Sequence, residues 1–391
     1  SQIEFKDFKN NFNIGRIYRF ITLLLGMKPS EHEFKVMGLA PYATEYNYKN
    51  AYKIFCDAYK FDSISGDLKI DSQIKDHYFY YKEKLKACRF DGIAGGLQLW
   101  TETIICDYIK FWIKKMNKRK VVLSGGVSLN IKANMEISKL SCVDDLFVVG
   151  SGGDESLCIG AVYAFLDRIG KGSEIKPLDS LYLGEEIKQR ELEESLYILK
   201  NSSSKFSVLD YNVEEVSEKL ANGMILGRAS GKSEFGARAL GNRSILADPR
   251  NSETIKKINN KIKKRDFWMP FTPSILDTCQ DEYLVNEKKL KLPYMSVACD
   301  TTNSGKTSLK AALHPGDETA RPQIVKKENN PEYYSLLENF KSITGVGALL
   351  NTSLNLHGLP IVQNAEDAIH VMKNSEIDGL IINDKLIIRE K

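Results

Sequence analysis

The chain has 391 residues, 42% of them hydrophobic and 27% charged, with a formal net charge of +4. That length predicts two or three domains, and a near-average composition excludes wholesale disorder and a collagen-like chain. The surplus of 55 basic over 51 acidic residues is too small to indicate a nucleic-acid partner.

Mean hydropathy is −0.30, and the apolar run at residues 20–25 is far shorter than the roughly 20 residues a membrane span needs, so no membrane partner is expected. The opening SQIEFKDFKN lacks a basic region followed by an apolar one, so no signal peptide is expected either. Cysteines stand at 56, 88, 106, 142, 158, 279 and 299. Their odd number and the lack of any C-x-x-C pair argue against a disulfide framework and a zinc site, and for reduced thiols in a cytoplasmic protein.

In chain order, residues 1–60 read as largely helical. Ile14, Ile17, Tyr18, Ile21, Leu24 and Leu25 repeat at helical spacing, with Gly26 as a stop before Pro29. A second helix is expected over 91–115, with Leu97, Trp100, Ile104, Tyr108, Phe111 and Trp112 on its apolar face. A strand at 121–123 runs into Ser124-Gly125-Gly126, and a helix follows over 130–140. A strand at 146–149 runs into Gly150-Ser151-Gly152-Gly153-Asp154, and a helix follows over 159–169. Strand, glycine turn and helix, repeated, predict an α/β domain that holds a ligand at its strand ends. Residues 170–180, polar with Gly and Pro, are the expected boundary, giving domains 1–175 and 176–391. Beyond it, helices are expected at 191–199 and 213–222, a strand at 224–228, and a glycine-rich loop and helix over 231–245. A strand at 348–350, a polar loop over 351–358, a helix over 365–373 and a strand at 380–382 close the chain.

Four features could carry chemistry. The glycine turns at 124–130 and 151–156 could bring backbone N–H groups close to a phosphate, or could be plain strand-to-helix turns. Asp154, at an expected helix start, could be an ordinary N-cap or, given partners, a cation ligand. The loop 231–245 joins three glycines to Lys232, Arg238 and Arg243, and Arg265, His314 and Arg321 could add donors. Such guanidinium groups suit phosphate, although Glu234 and Glu318 could simply neutralise them. Asn351, Thr352, Ser353 and Asn355 suit a carbonyl, amide or phosphate ligand. The basic clusters at 114–120 and 256–265 read as solvated helix ends, the second also as a possible guard of an anion. Five histidines, at 32, 77, 314, 357 and 370, form neither H-x-x-x-H nor H-E-x-x-H.

Residues 234–250, EFGARALGNRSILADPR, resemble the signature of the O-carbamoyltransferases of the NodU/CmcH type. KVMGLAPY at 35–42, LSGGV at 123–127, TARPQ at 319–323 and LNTS at 350–353 resemble further blocks of that family, in its order. The resemblance runs from about Ile14 to the C-terminus. It implies an α/β chain with the C-terminal lobe of an actin-like/sugar-kinase-like ATPase fold, followed by a threonylcarbamoyl-adenylate-synthase-like domain with a twisted mixed sheet. It further implies that the C-terminal domain makes carbamoyl adenylate from carbamoyl phosphate and ATP with Mg²⁺, and that the N-terminal domain passes the carbamoyl group to a hydroxyl of a small-molecule or glycan acceptor.

By that likeness Lys232, Arg238, Arg243 and Arg321 are the catalytic set, and Ser244, Arg265, His314, Asn351, Ser353 and Asn355 bind carbamoyl phosphate and ATP. Lys35, Gly125, Gly126, Asn130 and Gly153 hold nucleotide in the transfer domain. Asp154 is a ligand there to a divalent metal such as Fe²⁺. Members of the family begin with a further lobe that supplies an H-x-x-x-H pair, which this sequence lacks. A fragment or a partner-dependent subunit is therefore expected, with the missing lobe or a second copy as partner. Lys232 stands where the family usually has Arg, and Ala237 where it usually has Pro.

Overall fold

The structure, a computed structural model, describes residues 13–200, 206–263 and 266–390. It divides into two compact units, Ser1–Phe147 and Val148–Lys391. The opening decapeptide and Arg265 lie outside the described residues.

In the first unit, helix α1 (Ile14–Leu24) buries Ile14, Ile17, Tyr18 and Ile21, the face its spacing predicts. Gly26 follows with φ +74, a left-handed conformation that glycine enters without a Cβ clash. Next come α2 (Glu33–Leu39), α3 (Glu45–Ala58) and the antiparallel pair β1 (Tyr59–Phe61) and β2 (Leu68–Ile70). Asp76 caps α4 (His77–Lys84) by accepting the Phe79 N–H at 3.0 Å.

The 27-residue α5 (Phe90–Met116) is the spine of this unit. Its glycines let α3 approach: a Cβ at Gly96 would sit 2.6 Å from the Tyr52 nitrogen, and one at Gly92 2.3 Å from the Asn47 oxygen. Trp100 from α5 meets Phe55, which also meets Tyr81, with ring centroids 5.7 and 5.1 Å apart. All three rings are buried, each contributing about 2–3 kcal/mol of apolar burial. Strand β3 (Lys120–Leu123), helix α6 (Ile131–Lys139) and strand β4 (Asp145–Val148) follow. The two expected strands exist, and they pair with each other in a sheet of two.

The second unit opens with α7 (Leu157–Arg168), which begins two residues earlier than expected and buries none of its residues. Then come α8 (Gln189–Lys200), β5 (Phe206–Asp210), α9 (Val213–Ala221), β6 (Leu226–Ala229), β7 (Arg243–Ala247), α10 (Glu253–Ile258) and β8 (Thr272–Leu276). Short α11 (Gln280–Tyr283), β9 (Leu284–Val285), β10 (Asp300–Thr301) and α12 (Asn303–Ser308) form a small side structure. Strand β11 (Gln323–Val325), α13 (Pro331–Thr344), β12 (Ala348–Ser353), α14 (Ala365–Lys373), β13 (Gly379–Ile382) and β14 (Lys385–Arg389) complete the unit.

Eight strands join in the order β11-β8-β12-β7-β6-β13-β14-β5. The β11–β8 and β6–β13 pairs are parallel and the others antiparallel. The fold is thus mixed α/β with a large mixed sheet. Leu192, Leu196 and Leu199 of α8 and Ala365, Ala368 and Met372 of α14 bury the sheet face that carries Ile245, Ala247, Leu350 and Leu380. Helices α9 and α13 pack together, and α13 also packs on β8 and β12.

The structure departs from expectation in two places that matter for the site. Residues 231–242 form a loop without a helix, and β7 starts at Arg243. Three glycines with positive φ, Gly231 (+69), Gly236 (+99) and Gly241 (+114), bend the chain against helix formation. Strand β12 runs on through Ser353 where a loop was expected after Leu350, because Asn351 pairs with Leu246 and Thr272 and Ser353 pairs with Ser244. Segment 170–180 falls inside the second unit. None of the seven cysteines forms a disulfide. No described helix is long and apolar enough to cross a membrane.

Candidate active site

The loop between β6 and β7 is built around a carboxylate. Glu234 Oε1 accepts the backbone N–H groups of Leu240 (2.7 Å), Asn242 (2.8 Å) and Arg243 (3.2 Å). Charge-assisted bonds of this kind are worth about 1.5–3 kcal/mol each when shielded from water. Among the described residues Glu234 forms no ion pair with an arginine, and Glu318 pairs with Lys306 at 2.6 Å. Arg228, on β6, fixes the far end of the loop by donating to the Gly241 carbonyl (3.0 Å) and to Asn242 Oδ1 (2.7 Å). A Cβ at Gly236 would meet Ser151 Oγ at 2.6 Å. The 150–156 turn therefore packs directly on this loop, and Ser151 in turn donates to Glu155, which holds that carboxyl below its usual range.

Arg243 is fully buried. Its guanidinium donates to the carbonyls of Gly231 (3.0 Å), Asn242 (3.0 Å), Glu185 (3.2 Å) and Gln363 (3.4 Å), and Nε has no partner. Arg321 is also buried, with one terminal nitrogen unpartnered. Arg238 makes no hydrogen bond or ion pair among the described residues. Burial pushes all three guanidinium groups down from their usual pKa, Arg321 to about 10, with Asp317 opposing that shift and the charge of Arg238 adding to it. Arg238 and Arg321 are thus neighbours of like charge with unused donors, an arrangement that an anion relieves.

Lys263 is buried. It belongs to the basic cluster at 256–265, which reads as a solvated helix end or as a guard of an anion. Its neighbours Lys256 and Lys257 are indeed exposed. After α10, however, the chain widens into a π-turn over Asn259–Lys263, and Lys263 turns inward. Its Nζ donates to the carbonyl and hydroxyl of Ser353 and to the carbonyl and side-chain oxygen of Asn355. Inserted turns of this type often sit at functional sites, and sequence periodicity does not reveal them. Arg228 left a clearer trace, as a lone charge in an apolar strand.

Ser353, Asn355 and Arg243 meet on one cavity of about 470 Å³, with Ser233, Glu234, Gly236 and Ala237 on the loop side and 359–363 opposite. That volume suits a small organic ligand. Sheet register brings the end of β12 to the start of β7: Ser353 stands opposite Ser244, one residue after Arg243.

The other expected residues stand as follows. Ser244 Oγ accepts the Gly241 N–H at 2.9 Å. Asn351 Nδ2 donates to the Ala239 carbonyl (3.2 Å) and Ser274 Oγ (3.0 Å), leaving Oδ1 buried and unpartnered. His314 is buried, and its Nδ1 accepts the Gly316 N–H at 3.0 Å. Lys232 is exposed.

The residues expected to hold nucleotide in the N-terminal domain divide between the units. Lys35, Gly125, Gly126 and Asn130 lie in the first. Gly125 has φ +93, and a Cβ at Gly125 or Gly126 would touch nothing within 4 Å. Asn130 caps α6 through the Ala133 N–H and bonds Gln98. Gly153 and Asp154 lie in the second unit, where Asp154 is exposed and does not cap a helix with its side chain. No group of three or more His, Cys, Asp or Glu able to hold a metal occurs among the described residues. Asp154, exposed and outside any such group, does not by itself make a metal site.

Fold and cavity together define an α/β protein with a large mixed sheet and a pocket that one buried cation, Arg243, lines. Residues 2–163 match the family model for the carbamoyltransferase N-terminus, and residues 217–389 match that for the carbamoyltransferase C-terminus. A Methanocaldococcus jannaschii protein of uncharacterised function is 34% identical over 390 residues, covering 97% of this chain and 62% of its own length. Nodulation protein NolO of Bradyrhizobium diazoefficiens is 30% identical over 388 residues, covering 97% of this chain and 70% of its own. The 3'-hydroxymethylcephem-O-carbamoyltransferase of Amycolatopsis lactamdurans is 28% identical over 265 residues, covering 67% and 47%. Full-length HypF, solved with phosphate and nucleotide, aligns over 48% of this chain and 23% of its own at TM-score 0.32 and 18% identity, too distant to argue from. The chain belongs to the carbamoyltransferase family, of the NodU/CmcH type. It spans 62% of the length of the Methanocaldococcus relative.

Proposed function

We propose that this chain takes part in ATP-dependent O-carbamoyl transfer, with its second unit making carbamoyl adenylate from carbamoyl phosphate and ATP. The observation that carries the reading is the 470 Å³ cavity that Arg243 lines, with Lys263 bonded to the Ser353 and Asn355 that line it, in a member of the carbamoyltransferase family. The eight-stranded mixed sheet supports a threonylcarbamoyl-adenylate-synthase-like second half, and an actin-like origin for the first half belongs to the same proposal.

Water cleaves carbamoyl phosphate to carbamate and phosphate. A carbamate oxygen then attacks the α-phosphorus of ATP, taken as its Mg²⁺ complex, and pyrophosphate leaves. Buried guanidinium and ammonium groups stabilise charge building on the phosphates, because they are already oriented and desolvated. Holding carbamate against the α-phosphate supplies much of the remaining rate. An acceptor hydroxyl then attacks the carbamoyl carbon and AMP leaves. The names of relatives that act on a hydroxymethyl group support a hydroxyl acceptor, here a small molecule or a glycan. Seven cysteines without a disulfide support a cytoplasmic setting.

A second reading places acceptor transfer on a partner chain or a second copy, and it is favoured by Asp154 standing outside any His, Cys, Asp or Glu cluster among the described residues. Pyrophosphate release from ATP, measured with carbamoyl phosphate and no acceptor, tests the shared first step. Release is expected under both readings, and its absence from folded protein removes both.

A further inference from the structure

Glu234 lines the same cavity as Arg243, yet a fixed negative charge weakens a site for phosphorylated ligands. Its carboxylate does not offset that charge by pairing with a guanidinium. Instead Oε1 gathers the N–H groups of Leu240, Asn242 and Arg243. Converging backbone N–H groups form a concave anion receptor, and this one is filled from within the chain.

We propose that Glu234 is the positioning residue of the activation site: it holds the 231–243 loop in the shape that presents Arg243, and it does so at the expense of affinity for anions. This inference rests on the reading that the cavity takes a phosphorylated ligand. Gly236 and Gly241, both at positive φ, let the chain wrap around the carboxylate. The Asn242 side chain ties back to the Lys232 carbonyl at 2.8 Å, and Ser244 Oγ takes the Gly241 N–H. The three amides held by Glu234 lie between these ties. Without their acceptor they lose the contact that orders the loop immediately before Arg243.

Two substitutions separate position from charge. Glu234→Gln keeps an oxygen that can accept the three amides and removes the charge. Glu234→Ala removes both. Hydrogen exchange at the Leu240, Asn242 and Arg243 amides is measured in the full chain, alongside calorimetric binding of inorganic pyrophosphate. In Glu234→Ala the three amides are expected to lose protection and pyrophosphate to bind more weakly. In Glu234→Gln protection is retained and pyrophosphate binds about tenfold more tightly. Unchanged protection in Glu234→Ala overturns the proposal. So does a shift of pyrophosphate affinity in the same direction in both variants, which marks Glu234 as a counter-ion of Arg243. Should Glu234→Ala fail to fold, Glu234→Gln decides alone: weaker pyrophosphate binding or lost protection overturns the proposal. If the wild-type chain binds no pyrophosphate, the ligand reading falls, and the exchange measurement still decides whether Glu234 holds the loop.

Discussion

Lys263 and Asn355 are joined twice: one ammonium donates to the backbone carbonyl of Asn355, at 3.1 Å, and to its side-chain oxygen. Asn355 Oδ1 also accepts from Ser353 Oγ at 2.7 Å, and its Nδ2 donates to the Leu359 carbonyl at 2.6 Å. A single buried cation thus sets both polar side chains on the β12 side of the cavity and, through Leu359, the start of the opposite wall.

Replacing Lys263 with Met keeps most of the side-chain volume and removes the charge. Carbamoyl-phosphate-dependent pyrophosphate release is expected to fall about a hundredfold or more, the usual effect of removing one preoriented donor. Initial rates over a range of carbamoyl phosphate concentrations check this. Unchanged turnover would leave Lys263 a structural tie alone.

Arg243 donates to four backbone carbonyls and keeps Nε free, so its removal has two effects. Arg243→Ala is expected to abolish pyrophosphate release and to lower stability by about 3 kcal/mol, because buried carbonyls lose their donor. Arg243→Lys keeps the charge without the planar fork and should recover part of the stability and little of the activity. Urea midpoints and release assays on both variants read the two effects separately.

Gly236 combines φ +99 with a neighbour that leaves no room for a Cβ, since Ser151 Oγ and Cβ would lie 2.6 and 2.7 Å away. Gly236→Ala should destabilise the second unit by about 1–3 kcal/mol. Adding Ser151→Gly removes the clash and leaves the backbone strain, so part of that loss should return in the double variant. A double-mutant cycle in urea checks this, with a coupling of about 0.5 kcal/mol or more expected for residues in contact.

Asp62 holds the turn between β1 and β2. Lys69, the Ile64 N–H and the Ser65 hydroxyl pull its carboxyl from 3.8 down to about 2. A depressed carboxylate adds stability that is fully present above its ordinary pKa and is lost as pH falls through the folded value. The contribution should therefore disappear between pH 3.8 and about 2. Asp62→Asn should reduce stability at pH 7 and flatten the acid limb of a plot of urea midpoint against pH. An unchanged acid limb would show that the turn is held by something else.

Where apolar spacing was regular, the sequence was legible. The buried face of α1, the length of α5 and the span of α14 follow from periodicity, because each needs only one face turned inward. Of the residues the sequence singles out, Arg243, Ser353 and Asn355 line one cavity, and Arg321 is buried. What was not legible depends on backbone shape or long-range register. Glu234 looks like a counter-ion until the loop is seen to curl around it. Lys263 looks solvated until a π-turn rotates it inward. The bonds of the Asn351 amide nitrogen to Ala239 and Ser274 follow from strand register, which local pattern does not show. The two-strand pairing of β3 with β4 was also beyond local pattern, since strand count depends on which segments meet.

The most direct test of the central claim is pyrophosphate release from ATP by this chain, with carbamoyl phosphate supplied and acceptor left out. The account predicts release that requires carbamoyl phosphate and that Lys263→Met and Arg243→Ala suppress. Folded protein that binds ATP yet releases no pyrophosphate, with carbamoyl phosphate present, would contradict it.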